Sequence, residues 1–504
     1  MQGPEAAVRR DAGEGSRSVE RNDVRRVALV FPYFRTRSRT EILFPPLGIA
    51  SLASQLRGRG VDTRVFDCTF GTLPQLREAL SAFAPAIVGI SSMVSLTSNS
   101  LRVAELVRAT LPDCLLVAGG PLPTVFPGRY MSHVDAVFRG EADVSFPRFC
   151  TDFFARGASA AALTGLPLDT YGGLFVSRDG LRVDNPIVHH GEGELGSFPL
   201  PDRSDFDHDA YQKVWLEKTG TKTTSIITSY GCPYRCDFCS KPVFGSLVRR
   251  RSLDAVFAEI EQIRGLGYDG LWVADDTFTL SLPYLEDFCR RMLDRQMSWS
   301  CLARANEIDG ATLRLMKRAG CRRVYLGLES GSQTTLRLMK KQITVAEGIR
   351  AVHAFREAGI EVAAFLMVGY PGESVDSIEE TFSLALTLPL DEVSFNVPVP
   401  LPGSELFKRL GSPDEGKDWR QENEVTFVYP SEIDEQWLRR RIDETMEAFA
   451  RKRQDALPTL TQAPEGRVRG SLEARQGERR QTPQSALHRE LCPPLDDREA
   501  HLER

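Results

Sequence analysis

No stretch of this chain approaches the roughly 20 consecutive apolar residues that span a bilayer, so no membrane span is expected. The opening segment "MQGPEAAVRRDAGEGSRSVERNDVRR" has charges but no apolar core, and reads as no secretory leader. The protein is therefore expected in the cytoplasm, where a disulfide framework is not expected either. An excess of positive charge is also missing. The net charge is −5, which gives no broad electrostatic basis for binding nucleic acid or an anionic membrane surface. Histidine is scarce, with 7 in 504 residues. What remains is an ordinary globular composition, 42% hydrophobic and 26% charged, in a chain long enough for two or three domains.

Of the ten cysteines, Cys68, Cys114, Cys150, Cys289, Cys301, Cys321 and Cys492 are scattered, mostly in apolar surroundings where a thiol behaves as a small hydrophobe. The other three crowd into "GCPYRCDFCSKP", at Cys232, Cys236 and Cys239, spaced C-x3-C-x2-C. Four thiolates would close a tetrahedral zinc or complete an electron-transfer cluster. Three on one loop can hold three corners of a four-iron cube and leave the fourth iron open to chelate a substrate. Zinc lacks a fourth ligand: the histidines that flank the loop on either side, His208 and His353, are not at finger-like spacing.

The pattern along the chain is α/β. Residues 1–25 and 454–504 are polar and charged, and are expected to be disordered. Over 26–150, short apolar runs ("RVALVF", "AIVGISSM", "CLLVAGG") alternate with amphipathic helical stretches, which predicts a doubly wound, Rossmann-like parallel sheet. Ligands of such sheets bind beyond the carboxyl ends of the strands. The small and polar residues there are Thr69, Ser91, Ser92, Gly119, Gly120, Gly140 and Glu141. Residues 151–220 are less regular and read as a linker. Six further strand–helix units fill 221–410, short of the eight of a closed barrel, so a partial (β/α)6 barrel is expected. In its first helix Ser252 stands as the N-cap. A small helical C-terminal cap is expected over 411–453.

The cysteine loop follows the first barrel strand, at the end where such barrels carry their chemistry. "CPYRCDFC" resembles the C-x3-C-x-aromatic-C loop of the radical S-adenosylmethionine (SAM) enzymes. That resemblance implies a 4Fe-4S cluster on Cys232, Cys236 and Cys239. The amino and carboxylate groups of SAM would chelate the fourth iron, and one electron would release a 5′-deoxyadenosyl radical. Phe238 would lie near the adenine. "ADDTF" offers Asp275 or Asp276 to the SAM ammonium, although no literal Gly-Gly-Glu is present. Arg304 would pair with the SAM carboxylate, Glu329 and Ser330 with the ribose, and Gly369 and Gly372 would let backbone approach the adenine. Each has a plainer reading: the aspartates as helix caps, Arg304 in a structural ion pair, the two glycines in a tight turn, Phe238 as core.

A doubly wound domain ahead of such a barrel resembles the cobalamin-binding radical SAM family, and "FPPLGIASLASQLRGRGVDTRVFD", "VAGGPLPT" and "FRGEAD" are similar to its first-domain segments. The resemblance implies that the 26–150 domain takes the nucleotide tail of cobalamin. No Asp-x-His-x-x-Gly is present, so no histidine ligates cobalt from the usual loop; an empty flavodoxin-like domain is the alternative. The implied function is a methyltransferase that methylates an unactivated carbon of a small molecule, a secondary metabolite or lipid, with electrons from a flavodoxin or ferredoxin. The rivals are a cyclase or ring-remodelling enzyme of the same architecture, such as the anaerobic magnesium-protoporphyrin ester cyclases, and a non-catalytic iron–sulfur redox or metal-binding protein. Methylthiotransferases are disfavoured because Cys68, Cys114 and Cys150 do not clearly supply their further cluster ligands.

Overall fold

The computed structural model describes residues 25–35, 43–158, 163, 165–178, 180–305, 308–410, 429 and 431–456. The disorder expected of 1–25 and 454–504 falls almost entirely outside them. Among the described residues no helix is long and apolar enough to cross a membrane.

The first sheet begins with β1 (Arg26–Phe31), β2 (Asp62–Asp67), β3 (Ile87–Ser91), β4 (Leu115–Gly119) and β5 (Ala136–Phe138), all parallel, in the order β2-β1-β3-β4-β5. Apart from the edge strand β2, where Asp62 and Arg64 are exposed, their runs are mostly buried because helices cover both faces. Helices Leu47–Arg57 and Ser145–Ala155 pack Ala53, Leu56, Phe146 and Phe149 onto one face. Helices Leu73–Phe83 and Thr97–Thr110 pack Leu76, Leu80, Val103 and Val107 onto the other. The strand order reverses between β1 and β3, which opens a crevice beyond their carboxyl ends.

Residues 151–220 are not a linker. Two strands, β6 (Leu174–Arg178) and β7 (Leu181–Asp184), extend the first sheet antiparallel from β5, making it seven-stranded. The local signal is an Asp-Gly pair between two short alternating runs, with Gly180 at φ +81°. The rest of the segment binds the two halves together. Tyr211 donates its hydroxyl to Asp67 of β2 at 2.7 Å, and the Trp215 indole donates to the Leu43 carbonyl at 2.6 Å. On the barrel side, buried Arg203 meets Glu259 at 2.7 Å, and Glu259 also takes Arg251 at 2.6 Å.

The second sheet holds β8 (Thr223–Ile226), β11 (Gly270–Val273), β12 (Ser298–Ala303), β13 (Cys321–Glu329), β14 (Glu361–Met367) and β15 (Glu392–Asn396), parallel, in the order β15-β14-β13-β12-β11-β8. A two-stranded ribbon, β9 (Ser229–Tyr230) with β10 (Arg249–Arg250), brackets the cysteine loop. Six strands with β8 and β15 at opposite edges form the open barrel expected. Its convex face carries the main core, including Val256, Ile260, Leu313, Val352 and Phe382 from the covering helices. Ser252 caps the first of these, its hydroxyl accepting the Ala255 N–H at 3.3 Å. Of the expected C-terminal cap, residues 411–428 lie outside the described residues. Its helix, Glu435–Ala456, passes the boundary expected at 453, packs Leu438, Ile442 and Phe449 into the barrel core, and pairs Arg441 with Glu379.

Candidate active site

The loop between β9 and β10 carries the three thiols. It opens at Gly231, whose φ is +83° and where a Cβ would stand 2.3 Å from the Leu247 carbonyl oxygen, so only glycine starts it without strain. Lys241 reaches back and donates to the carbonyls of Cys232, at 2.6 Å, and Tyr234. Asp237, between the second and third thiols, is buried and fastens the loop from outside. Its carboxylate accepts from the Tyr370 hydroxyl at 2.8 Å and from Arg409 at 2.7 Å. Its N–H donates to the Met339 carbonyl at 2.8 Å, and its own carbonyl accepts the Leu406 N–H at 2.9 Å.

Cys232, Cys236 and Cys239 are half-buried and free. Burial first, then the neighbouring Cys236 thiol and the Asp276 carboxylate, push the Cys239 thiol up to about 11, so its ligation as thiolate calls for the positive charge of a metal. Among the described residues no three His, Cys, Asp or Glu side chains gather closely enough to hold a single metal ion. Three free thiols on one loop suit three corners of a four-iron cube.

Strand ends place several of the expected residues around this loop. Arg304, just past β12, is buried, with Nη1 3.8 Å from Cys236 Sγ and its guanidinium carbon 3.7 Å from the centroid of Tyr234. Its Nη2 is buried without a partner. A spare guanidinium donor beside a cysteine fits an anionic ligand such as the SAM carboxylate. After β11, Thr277 Oγ1 lies 3.9 Å from Cys232 Sγ and Asp276 is exposed. Phe238 packs against Met339, Tyr370 and Leu406. Gly369 is buried at φ +80° and Gly372 exposed at φ +88°, where the chain turns after β14.

Other expected residues are otherwise engaged. Asp275 is closed from solvent and accepts hydrogen bonds of 2.6 Å each from Thr228 N–H, Thr228 Oγ1 and Ser229 Oγ. It clamps β11 to the chain entering the cysteine loop, which leaves Asp276 as the acid facing outward. Ser330 is buried and shares its hydroxyl with Thr381 and the Ser332 N–H at 3.0 Å each. Glu329, held at φ +63°, is ion-paired with buried Lys341 at 2.6 Å. On the first domain, the Thr69 hydroxyl is taken by Asp67 and Tyr211, and the Ser92 hydroxyl by Tyr130 and Ser100. Gly120, at φ +101°, gives its missing Cβ to the Ser92 carbonyl, 2.6 Å from where that atom would stand. Gly140 likewise makes room for Ile187. Glu141 faces the barrel: buried, it pairs with Arg249 and His189 at 2.7 Å each. Next to the switch point, the half-buried Ser91 and Gly119 stand side by side in register on β3 and β4. The small pair fits a narrow cofactor tail.

Two functional candidates were not foreseen. Asp237 was passed over, although an acid among three thiols calls for a nearby cation. Glu373 is the other. Buried beneath the turn after β14, it accepts the Gly369 and Tyr370 N–H groups at 2.8 and 3.0 Å and the Thr335 hydroxyl at 3.1 Å. Burial pushes its carboxyl up to about 7 against those bonds.

Known proteins share both halves. The Radical SAM superfamily model matches residues 226–385 and the B12 binding domain model residues 39–149. An uncharacterised methyltransferase of Pyrococcus horikoshii is 29% identical over 379 residues, 72% of this chain and 78% of its own. The anaerobic magnesium-protoporphyrin IX monomethyl ester cyclase of Rubrivivax gelatinosus is 26% identical, over 76% of this chain and 70% of its own. The fold is also that of the radical SAM methyltransferase TsrM of Kitasatospora setae, solved with cobalamin and a [4Fe-4S] cluster: TM-score 0.65 and 18% identity, over 77% of this chain and 75% of that one. With a B12-type domain and a radical SAM barrel in one polypeptide, and the cysteine loop at the barrel mouth, the chain belongs to the cobalamin-binding radical SAM family.

Proposed function

We propose that the protein is a cobalamin-dependent radical SAM methyltransferase that methylates an unactivated carbon of a small molecule, a secondary metabolite or a lipid. The observation that carries this reading is a trio of free, half-buried thiols on one loop, at the mouth of a barrel that the buried Glu141–Arg249 pair joins to a B12-type domain. When bound, the 4Fe-4S cluster supplies the electron that cleaves SAM, and cobalamin supplies the carrier for a methyl group.

In this reading Cys232, Cys236 and Cys239 hold the iron, and Lys241 and Asp237 keep their loop in shape. Arg304 takes the SAM carboxylate and Asp276 its ammonium, both as charge-assisted contacts. Phe238 flanks the adenine, with Gly369 and Gly372 admitting it to the backbone. Glu329, oriented by Lys341, serves the ribose edge. Ser91 and Gly119 line the groove for the cobalamin tail. The Glu141–Arg249 contact fixes the two reactive centres relative to each other, which is what such chemistry asks of a protein. A cytoplasmic setting is part of this reading.

The test is anaerobic reconstitution, iron, sulfide and cobalt analysis, and turnover with methyl-labelled SAM. Label in a product supports methyl transfer. Formation of 5′-deoxyadenosine with an unlabelled, cyclised or rearranged product assigns the protein to the cyclase-like alternative. No 5′-deoxyadenosine from an intact, reduced cluster rejects an enzyme and leaves a redox or metal-binding role.

A further inference from the structure

Reductive cleavage of SAM consumes an electron from outside the chain, so a carrier must reach the cysteine loop. The outer side of that loop lies directly against a surface segment. Helix Gln333–Leu338 runs into Met339 and Lys340. Met339 is buried in a cluster with Tyr370, Leu406 and Phe238, and its carbonyl accepts the Asp237 N–H at 2.8 Å. Its neighbours face outward: Arg337 and Lys340 are exposed, and Leu338 is an apolar side chain left 38% exposed. Helix Glu405–Leu410 adds exposed Lys408 and Arg409. Arg409 and Lys340 converge on the same Asp237 carboxylate, at 2.7 and 3.8 Å. Lys408 neutralises the exposed Glu405 at 2.7 Å.

We infer that this face, an exposed Leu338 among Arg337, Lys340, Lys408 and Arg409, is the docking surface for a small acidic one-electron carrier protein. The inference rests on the radical SAM reading and adds the place and sign of the contact. An apolar centre with a charged rim is how interfaces are built, and electron-transfer encounters are small and steered by charge. The four cations outnumber the two carboxylates they pair with, Asp237 and Glu405, which leaves a local positive excess on a chain whose net charge is −5, and such an excess draws an acidic partner to this face. Docking makes and breaks no covalent bond. One electron leaves the carrier, which is oxidised by one, and arrives at the iron held by Cys232, Cys236 and Cys239, which is reduced by one.

The experiment uses the reconstituted full chain and a purified bacterial flavodoxin as the probe. Affinity is measured against salt without SAM. Cluster reduction is then followed by rapid mixing, with reduced flavodoxin and, separately, with photoreduced 5-deazariboflavin, a small neutral reductant. The double variant Arg337→Glu/Lys408→Glu is expected to bind flavodoxin at least ~10-fold more weakly with a flatter salt dependence, to be reduced by it correspondingly slowly, and to be reduced by deazariboflavin at the wild-type rate. Lys213→Glu/Arg318→Glu, the same charge change on another face, is expected to keep wild-type binding. Unchanged flavodoxin affinity, equal loss in both double variants, or equal slowing with both reductants overturns the proposal. Product analysis with deazariboflavin tests the methyltransferase reading separately, so either can fail alone.

Discussion

Arg304 is stacked on Tyr234: its guanidinium carbon stands 3.7 Å from the ring centroid while Nη1 points at Cys236 Sγ, 3.8 Å away. One aromatic ring of the cysteine loop thus aims a cation from the end of β12 at the thiols. A planar fork is needed both to stack and to grip a carboxylate, which a lysine cannot do together. Arg304→Lys is expected to weaken SAM binding ~10-fold or more, the equivalent of a charged hydrogen bond of about 1.5–3 kcal/mol. Tyr234→Leu is expected to cost less, about 0.5–1 kcal/mol. Equilibrium dialysis of SAM on the reconstituted protein checks both; equal affinities across the three proteins would remove Arg304 from the site.

Each of Cys232→Ala, Cys236→Ala and Cys239→Ala takes away one of the three thiols proposed to hold the cluster. Iron and sulfide content and visible charge-transfer absorption are expected to fall, and 5′-deoxyadenosine to disappear, while far-ultraviolet circular dichroism stays that of the wild type. Retained turnover in any one of them would refute cluster ligation by the trio.

Glu373 gives a pH dependence whose sign is fixed by its position. Its carboxyl lies at about 7 in the fold against an ordinary 4.5. The folded state therefore holds the proton more tightly than the unfolded chain. That contribution is fully present below pH 4.5 and is lost as pH rises through 7, by up to ~3 kcal/mol for such a difference. Glu373→Gln is expected to flatten stability across this window. Denaturant midpoints of both proteins from pH 4 to 8 provide the measurement, and parallel curves would show that Glu373 is not the group responsible.

The two halves share a buried pair, Glu141 and Arg249, at 2.7 Å with side chains 2% and 3% exposed. Removing one partner strands a charge, so Glu141→Leu or Arg249→Leu is expected to destabilise by ~3–5 kcal/mol, and the combined change by clearly less than the sum. Thermal unfolding of the three variants decides; additive losses would mean that the pair does not couple the domains.

Much of this was legible in the sequence because it is local. Buried apolar runs between amphipathic helices mark parallel strands wherever both faces are covered, and thiol spacing and the Ser252 cap are short-range patterns. Pairings across long separations were not legible. Glu141 and Arg249 are 108 residues apart, so Glu141 looked like a ligand at a strand end when it is a bolt between domains. Asp275 and Asp276 cannot be ranked from composition: the backbone turns one inward onto Thr228 and Ser229 and the other outward. Ser91 and Ser92 divide the same way, one half-buried, one consumed by Tyr130 and Ser100. The β6–β7 extension was missed because its runs are short and partly polar, and because it pairs antiparallel with a sheet built otherwise of parallel strands.

That extension decides where the polypeptide can be severed. β5 is a short strand whose outer side is occupied by β6. Ending the first half at residue 150 would bare a strand edge ready to pair with its own copies. Ending it at residue 184 would cover the edge but leave Glu141 charged and alone where Arg249 had been. Either cut removes a buried partner of the first half, β6 in one case and Arg249 in the other, so the cobalamin-type half is expected to keep its shape best, and to take up its ligand best, within the whole chain.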